Sequence, residues 1–190
     1  VPADLSKYLN KIVGQSAYKG RAGVCGWLNG VYWVQKIGGA PKGRVLIRNV
    51  AVGGKRNVDS IEAALEPNHL YHLLRGSEIS RWHTQTSHLI VAPVTPNDES
   101  KALPLPILKA NYPNTYEYLK HFEVELKNRS GYIKYLSSQP FYAQYNIGPY
   151  SFAKYKVAWL RISNDITAAV VTNIVPDNGV TFVPFDVEEE

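Results

Sequence analysis

Cysteine, methionine and long apolar runs are the scarcest features of this 190-residue sequence. A single cysteine, Cys25, excludes an intrachain disulfide and a multi-cysteine zinc site, and it suits a reducing compartment. No stretch approaches the ~18 uninterrupted apolar residues of a membrane-spanning helix, and the chain does not open with the basic and apolar regions of a secretory signal. We therefore expect a cytoplasmic protein with no membrane partner. The absence of methionine, with Val1 first, predicts a fragment cut from a longer polypeptide.

Apolar residues are plentiful enough to build a core. Hydrophobic residues make up 45% of the chain and aromatic residues 12%, which disfavours the low-complexity and disordered classes. The length is that of one ordinary domain, and the sequence shows neither an internal repeat nor a stretch with the composition of a linker. The sequence therefore predicts a single domain over residues 1–190.

The charge of the chain is unevenly distributed. Lysine and arginine number 21 against 16 acidic residues, and four of the acids (Asp186, Glu188, Glu189 and Glu190) lie in the last five positions. Residues 1–185 therefore carry a formal charge of +9, against +5 for the whole chain. A body this basic attracts phosphate or another anionic surface. The acidic tail is expected to lie away from any surface that binds phosphate.

Hydrophobic periodicity and turn residues predict a mixture of helices and strands. Helices are expected over residues 4–13, 60–66, 113–128 and 131–137, and strands over 44–52, 87–94, 154–162, 166–175 and 179–185. Asn29-Gly30, flanked by aromatic residues and valines, predicts a β-hairpin within 24–37. The longest helix should bury Tyr116, Leu119, Phe122 and Leu126. Because the elements follow no regular βαβ rhythm, the sequence predicts an α+β fold with a curved mixed or antiparallel sheet and a few packed helices.

Motifs for catalysis and cofactor binding are missing. The sequence lacks the glycine-rich nucleotide loops and the nucleophile elbow of hydrolases. His69 and His72 could supply half of a metal site, but no third ligand lies at a recognised spacing. We therefore assign no catalytic, cofactor-binding or metal-binding residue. One weaker alternative remains, a small free-standing enzyme that uses His83 or His88 as a general base.

Basic residues recur beside turns and aromatic residues. Lysine and arginine bind DNA phosphates, and arginine also reads base edges, so basic residues on loops of a rigid scaffold suit DNA recognition. The predicted DNA-binding residues are Lys19, Arg21, Lys55, Arg56, Arg75, Arg81, Lys154 and Lys156. All except Arg75 are expected to lie largely on one face as a positive concavity. Two structural alternatives stay open: the tyrosines of these loops are half-buried amphipathic residues, and the Arg75 guanidinium ties down Glu78 or loop carbonyls.

The segment LYHLLRGSEISRW (70–82) resembles a signature of the C-terminal target recognition domains of N-6 adenine DNA methyltransferases, including type IIG restriction–modification enzymes. Four further segments resemble parts of that family in the same order. They are KGRAGVCGWLNGVYWV (19–34), HLIVAPV (88–94), YPNTYEYLKHFEVELKNRSGY (112–132) and YNIGPYSFAKYKVAW (145–159). The resemblance runs from about Tyr18 to the C-terminus. It implies a target-recognition-domain-like fold and sequence-specific binding of double-stranded DNA.

Nothing in the chain resembles the catalytic half of that family. The (N/D)PP(Y/F) tetrapeptide that grips a flipped adenine is absent, and so is the glycine-rich S-adenosylmethionine loop. The resemblance therefore implies that this chain reads DNA, while a missing methyltransferase domain of the same protein binds S-adenosylmethionine and methylates the base. It leaves open whether an endonuclease is fused to the parent. The main alternative is a protein-interaction or scaffold domain that docks the methyltransferase core onto partner subunits.

Overall fold

The computed structural model describes residues 14–51, 56–95 and 98–185, and this part of the chain contains fourteen strands. In chain order they are β1 (Arg21–Ala22), β2 (Trp33–Ala40), β3 (Arg44–Asn49), β4 (Glu62–Leu65), β5 (Leu70–Leu74), β6 (Ile79–Ser80), β7 (His83–Thr84), β8 (His88–Val91), β9 (Val94–Thr95), β10 (Asp98–Ala102), β11 (Tyr155–Leu160), β12 (Ala168–Thr172), β13 (Ile174–Pro176) and β14 (Val180–Phe185).

Most of these strands form two sheets. The larger sheet has the order β13-β5-β8-β2-β3-β4, and its β13–β5 pair is parallel while its other pairs are antiparallel. The smaller sheet has the order β1-β14-β11-β12 and is antiparallel throughout. Two short hairpins, β6–β7 and β9–β10, complete the pairing. The fold is therefore α+β with a mixed sheet, as predicted, but with a second sheet that the sequence did not separate from the first.

Helices are short and lie mainly between β10 and β11. They are α1 (Asn29–Tyr32), α2 (Leu105–Asn111), α3 (Pro113–His121), α4 (Glu123–Lys127) and α5 (Pro149–Phe152), with 3₁₀ turns at Pro67–His69 and Gly76–Glu78 and a π-helical turn at Tyr132–Leu136. The helix predicted over 113–128 is present as α3 and α4, interrupted at Phe122. Leu119, Phe122 and Leu126 are buried as expected, and Tyr116 is partly buried. Among the described residues, no helix is both long and apolar enough to cross a bilayer.

Each sheet has its own apolar core. Residues of the larger sheet, such as Val34, Ile47 and Leu73, pack with Leu119 and Phe122 of the helical layer. A second and smaller core lies on one face of the smaller sheet, where it is formed by Leu74, Ile79, Ala158, Ala169, Val171, Ile174, Val180 and Phe182. Removing this apolar surface from water is the main term that favours folding. We call the face of the smaller sheet that carries Ala158 and Phe182 the inner face.

Two of the predicted elements are wrong, and tertiary contacts explain both. Asn29-Gly30 begins helix α1 rather than a hairpin turn, because this segment is buried: Gly30 lies against Val58, and Tyr32 donates a hydrogen bond to the carbonyl of Tyr142. Residues 62–65 form strand β4 rather than a helix, because they pair with β3. Tertiary pairing commonly overrides local propensity in this way. The helix predicted over 4–13 lies outside the described residues.

Two of the predicted strands are each divided into two shorter strands in the structure. Residues 87–94 form β8 and β9 with a break at Ala92-Pro93. Residues 166–175 form β12 and β13, which belong to different sheets. Asn173 lies between them with φ of 52°, a left-handed conformation that asparagine adopts more readily than most residues. This kink carries the chain from the smaller sheet into the larger one.

Candidate nucleic-acid interface

A basic and aromatic cleft lies at one edge of the smaller sheet, where β1 pairs with β14. Its volume is about 460 Å³. The lining residues are Ala17, Tyr18, Lys19, Arg21, Tyr150, Val183, Pro184 and Phe185. Two of the eight residues predicted to bind DNA, Lys19 and Arg21, are therefore brought together here. We call this feature the β1–β14 cleft.

Arg21 is positioned in the β1–β14 cleft by strand pairing and by an aromatic ring. It is paired with Phe182, and because paired residues of antiparallel strands share a face, its side chain lies on the inner face. Its guanidinium carbon lies 4.5 Å from the centre of the Tyr150 ring, which is a cation–π distance. Burial raises the pKa of Tyr150, and the Arg21 charge partly offsets that rise. Tyr150 therefore stays a neutral ring beneath a cation.

Lys154 lies at the same end of the smaller sheet as the β1–β14 cleft. Tyr155, the next residue, pairs with Phe185 of the cleft, and Tyr18 lies edge-on to Phe185 with ring centres 5.6 Å apart. Lys19 and Lys154 are both exposed. The structure therefore gathers Lys19, Arg21 and Lys154 at the end of the sheet where β11 begins and β14 stops.

Lys156, by contrast, is buried, so its predicted place on an exposed basic surface is wrong. Its side chain shares the inner face with Ala158, two residues along β11, and is fully inaccessible to solvent. Its ammonium group donates a hydrogen bond to the carbonyl of Ala153, just after helix α5. Burial lowers the pKa of Lys156 to about 8, because removal from water disfavours the charged form.

We expect Lys156→Met to stabilise the chain by roughly 1–2 kcal/mol at neutral pH, because it removes a buried charge. The folded pKa of Lys156, about 8, lies below the ordinary lysine value of about 10.5. Protonation of the native state therefore costs stability below about pH 8, and stability should rise from there towards about pH 10.5. Urea unfolding across this range measures both effects. Lys154→Met, at an exposed site, should change stability little; a pH profile unaltered by Lys156→Met would contradict the assignment.

The Arg75 guanidinium ties down Glu78, in agreement with the structural alternative for this residue. Its Nε and one terminal nitrogen lie 3.1 and 2.9 Å from Glu78 Oε1, and the Arg75 backbone N–H donates to Glu78 Oε2 at 2.9 Å. His88 Nδ1 lies 3.4 Å from the same carboxylate. Arg75 is partly buried. This network braces the turn that leads from β5 to the β6–β7 hairpin, and it occupies much of the capacity of Arg75 to bind phosphate.

Two further ionisable groups lie around this turn. His88 is buried, with Ser87 and Gln35 in hydrogen-bond contact with its ring nitrogens, and burial lowers its pKa. Burial raises the pKa of Asp177 to about 6, although the hydrogen bonds that its carboxylate accepts lower the pKa in part. His83, the other histidine considered as a general base, is exposed on β7. The two histidines therefore lie in different environments, since His88 is buried beside Glu78 and His83 is exposed.

The remaining predicted residues lie elsewhere. Arg81 is exposed in the two-residue turn of the β6–β7 hairpin, beside Trp82, whose φ is 70°. The Trp82 N–H donates to the carbonyl of Ala168, so this turn adjoins β12 at the corner of the smaller sheet opposite the β1–β14 cleft. Arg56 is exposed in the loop before β4. Lys55 lies outside the described residues.

A group of three aromatic rings, two of them exposed, was not expected from the sequence. Trp27, Tyr135 and Tyr145 have ring centres 5.4–6.2 Å apart and ring planes within 35° of parallel. Tyr135 is 52% exposed and Tyr145 is 40% exposed. We call this group the aromatic platform. Its members are far apart in the chain, so no local sequence pattern marks it. The tight contact that Gly131 makes with the Trp27 ring links two of the segments.

Beneath the aromatic platform lies Arg129, one of the largest fully buried side chains among the described residues. Its guanidinium donates to four backbone carbonyls, those of Gly26, Leu126, Phe141 and Ala143. Its charge is therefore satisfied by peptide dipoles from three separate segments of the chain, and these segments are held in a fixed relation to one another.

The described residues contain no group of three or more histidine, cysteine or acidic side chains that could hold a metal ion. The β1–β14 cleft places cations beside aromatic faces, an arrangement that suits phosphates and bases. No protein-family model matches the chain, and no curated protein is significantly similar to it.

Proposed function

We propose that this chain is the target recognition domain of an N-6 adenine-specific DNA methyltransferase of a restriction–modification or phage-defence system. Its partner is double-stranded DNA, which it contacts through the β1–β14 cleft. The observation that carries the proposal is the convergence of Lys19 and Arg21 on one cleft, with Lys154 at the same end of the sheet. The collinear motifs from about Tyr18 onwards support it.

In this proposal the basic residues make different kinds of contact with DNA. Lys19 and Lys154 contact phosphates, which fixes the position of the chain on the duplex without reading sequence. Arg21, held over Tyr150, presents a planar donor that can contact a phosphate or a guanine edge. Arg56 and Arg81 are further candidates for base or phosphate contacts outside the cleft. S-adenosylmethionine belongs to the methyltransferase domain of the same protein, and the complex works in the cytoplasm.

The test is the salt dependence of duplex binding. Each phosphate contact contributes about 0.9 to the slope of log affinity against log salt. The double variant Lys19→Ala/Arg21→Ala should therefore lower the slope by roughly 1.8 with a random duplex if both residues contact phosphate, and by roughly 0.9 if Arg21 reads a base instead. Fluorescence anisotropy at several salt concentrations gives the slope.

The control is Lys109→Ala/Lys120→Ala, which removes two exposed cations that lie over the Tyr116 ring in the helical layer. It should leave the slope unchanged. Equal slopes for the wild type and the cleft variant would show that the β1–β14 cleft is not the DNA-binding face.

A specific observation also favours the alternative of a protein-interaction domain. The outer face of the smaller sheet, opposite the inner face, carries Tyr155, Val157, Trp159, Val170, Val183 and Phe185, and none of them belongs to either apolar core. Beyond β11, Ile162 is 91% exposed, and Trp82 of the neighbouring hairpin is 75% exposed. Exposed apolar patches of this kind often mark protein contacts. A salt-dependent shift of random duplex DNA is expected for the first function and not for the second.

A further inference from the structure

We infer that the aromatic platform, Trp27, Tyr135 and Tyr145, is a stacking site for an unpaired nucleobase of single-stranded nucleic acid. This site is distinct from the β1–β14 cleft and goes beyond duplex recognition. Its ligand class is defined by two requirements, a flat π-face that can lie on an exposed aromatic ring and a phosphate backbone that can reach the cations beside it.

The geometry of the rings provides the first requirement. The Trp27 and Tyr135 planes lie within 15° of each other, and the Tyr135 and Tyr145 planes lie within 28°. Two of the three rings are 40–52% exposed, so aromatic surface faces solvent instead of filling a core. Bases of any sequence have a π-face, so a platform of this kind binds single strands with little sequence preference.

The backbone holds the rings in place at a conformational cost. Trp27 has φ of 55°, and Asn146, next to Tyr145, has φ of 53°. For a bulky residue such as tryptophan the left-handed region is strained, and strained residues are concentrated at ligand sites. Gly131 lets the Trp27 ring approach, because a Cβ at this position would lie 2.2 Å from the ring. The Trp27 ring is partly buried against Gly131, and the strained backbone holds it in contact with the exposed rings of Tyr135 and Tyr145.

The underlying structure makes the platform rigid. The Arg129 guanidinium donates hydrogen bonds to the carbonyl of Gly26, directly before Trp27, and to the carbonyl of Ala143, two residues before Tyr145. Cys25 and Tyr145 also exchange backbone hydrogen bonds of 2.8 and 3.0 Å. A preorganised site binds more tightly because less conformational entropy is lost on association.

The surrounding charges provide the second requirement. The Lys134 ammonium lies 5.0 Å from the centre of the Tyr135 ring. On the Cys25 side, the exposed Arg161 donates a hydrogen bond to the carbonyl of Asn178, and the Asn178 side-chain amide lies 3.6 Å from Cys25 Sγ. Lys134 thus lies beside one ring, and Arg161 lies near the Cys25 segment that precedes Trp27; these cations favour an anionic strand over a neutral sugar or a proline-rich peptide.

The test uses a fluorescein-labelled oligodeoxythymidylate of about ten nucleotides, a length within the usual site sizes of single-strand binders. Tyr135→Ala and Tyr145→Ala should each weaken its binding by roughly tenfold, since each removes a stacking surface. Tyr135→Phe and Tyr145→Phe should bind like the wild type, because they keep the ring. Alkylation of Cys25, the one thiol of the chain, should slow when the oligonucleotide is bound.

Trp82→Ala is the matched control, because it removes an exposed ring from the β6–β7 hairpin, which carries no residue of the aromatic platform. It should leave single-strand affinity unchanged. The inference is overturned if the wild type does not bind the oligonucleotide, or if the two alanine variants bind as well as the wild type. Duplex binding measured in parallel distinguishes the two proposals. Loss of duplex binding in Lys19→Ala/Arg21→Ala supports the β1–β14 cleft as the duplex site. Loss of single-strand binding in the tyrosine variants supports the aromatic platform as the single-strand site.

Discussion

Arg129→Met is expected to lower the free energy of unfolding by about 3–5 kcal/mol, because four buried carbonyls would lose their donor at once. Methionine fills a similar volume but donates no hydrogen bond. Arg129→Lys should recover only part of the loss, since a single ammonium group cannot reach carbonyls arranged around a planar guanidinium. Urea denaturation followed by circular dichroism measures the change.

Arg48→Met is the matched control for this substitution. Arg48 pairs with Glu62, but both side chains are about half exposed, and exposed ion pairs contribute less than about 1 kcal/mol. If the Arg129 and Arg48 variants unfolded at the same urea concentration, the carbonyl bonds of Arg129 would not be the structural support that we describe.

Glu66→Gln is expected to destabilise the chain by about 2–3 kcal/mol at neutral pH. Glu66 follows β4 and lies at the start of helix α3, where its carboxylate accepts hydrogen bonds from the backbone N–H groups of Asn114 and Thr115 and from both of their side chains. Burial raises its pKa, but these bonds more than offset the rise and hold the pKa at about 2. A carboxylate at a helix N-terminus is also favoured by the helix dipole.

The pH dependence of this contribution has a definite sign. Because the folded pKa of Glu66, about 2, lies below the ordinary value, its stabilisation is complete above about pH 4.5 and is lost as the pH falls towards 2. The difference in unfolding free energy between the wild type and Glu66→Gln should therefore shrink below about pH 4.5. Glu117→Gln, on the exposed side of the same helix, should behave like the wild type throughout. A difference that stayed constant with pH would show that the carboxylate charge is not responsible.

Elements whose apolar pattern is strong and local could be predicted from the sequence. Helices α3 and α4 follow from the spacing of Leu119, Phe122 and Leu126, and strands β11 and β14 follow from their hydrophobic runs. Elements whose conformation depends on contacts with residues distant in the sequence could not be predicted in this way. Strand β4 forms because β3 is available to pair with it, and helix α1 forms because Gly30 and Tyr32 are buried among residues far along the chain.

The candidate site shows the same limit. The alternation in β11 correctly separates Tyr155, Val157 and Trp159 from Lys156 and Ala158, but the more apolar of these two faces is the one left outside the cores. The packing of the inner face decides which set is buried, and that packing is not encoded within the strand itself. For this reason Lys156 looked like a surface residue, and the aromatic platform, assembled from positions 27, 135 and 145, could not be anticipated.

The left-handed kink at Asn173 has a mechanical consequence. Just past the kink, β13 pairs with β5, and the chain leaves β5 through Arg75 to the hairpin that is bonded to Ala168 of β12. The two sheets are thus connected in two ways. The chain itself passes from one to the other at Asn173, and the β6–β7 hairpin, which follows β5 after the Arg75–Glu78 ion pair, is hydrogen-bonded to β12. The β6–β7 hairpin, with Arg81 in its turn, is therefore connected by backbone to β5 of the larger sheet and by a hydrogen bond to β12 of the smaller one. A molecule bound at Arg81 would therefore contact a hairpin that is attached to both sheets.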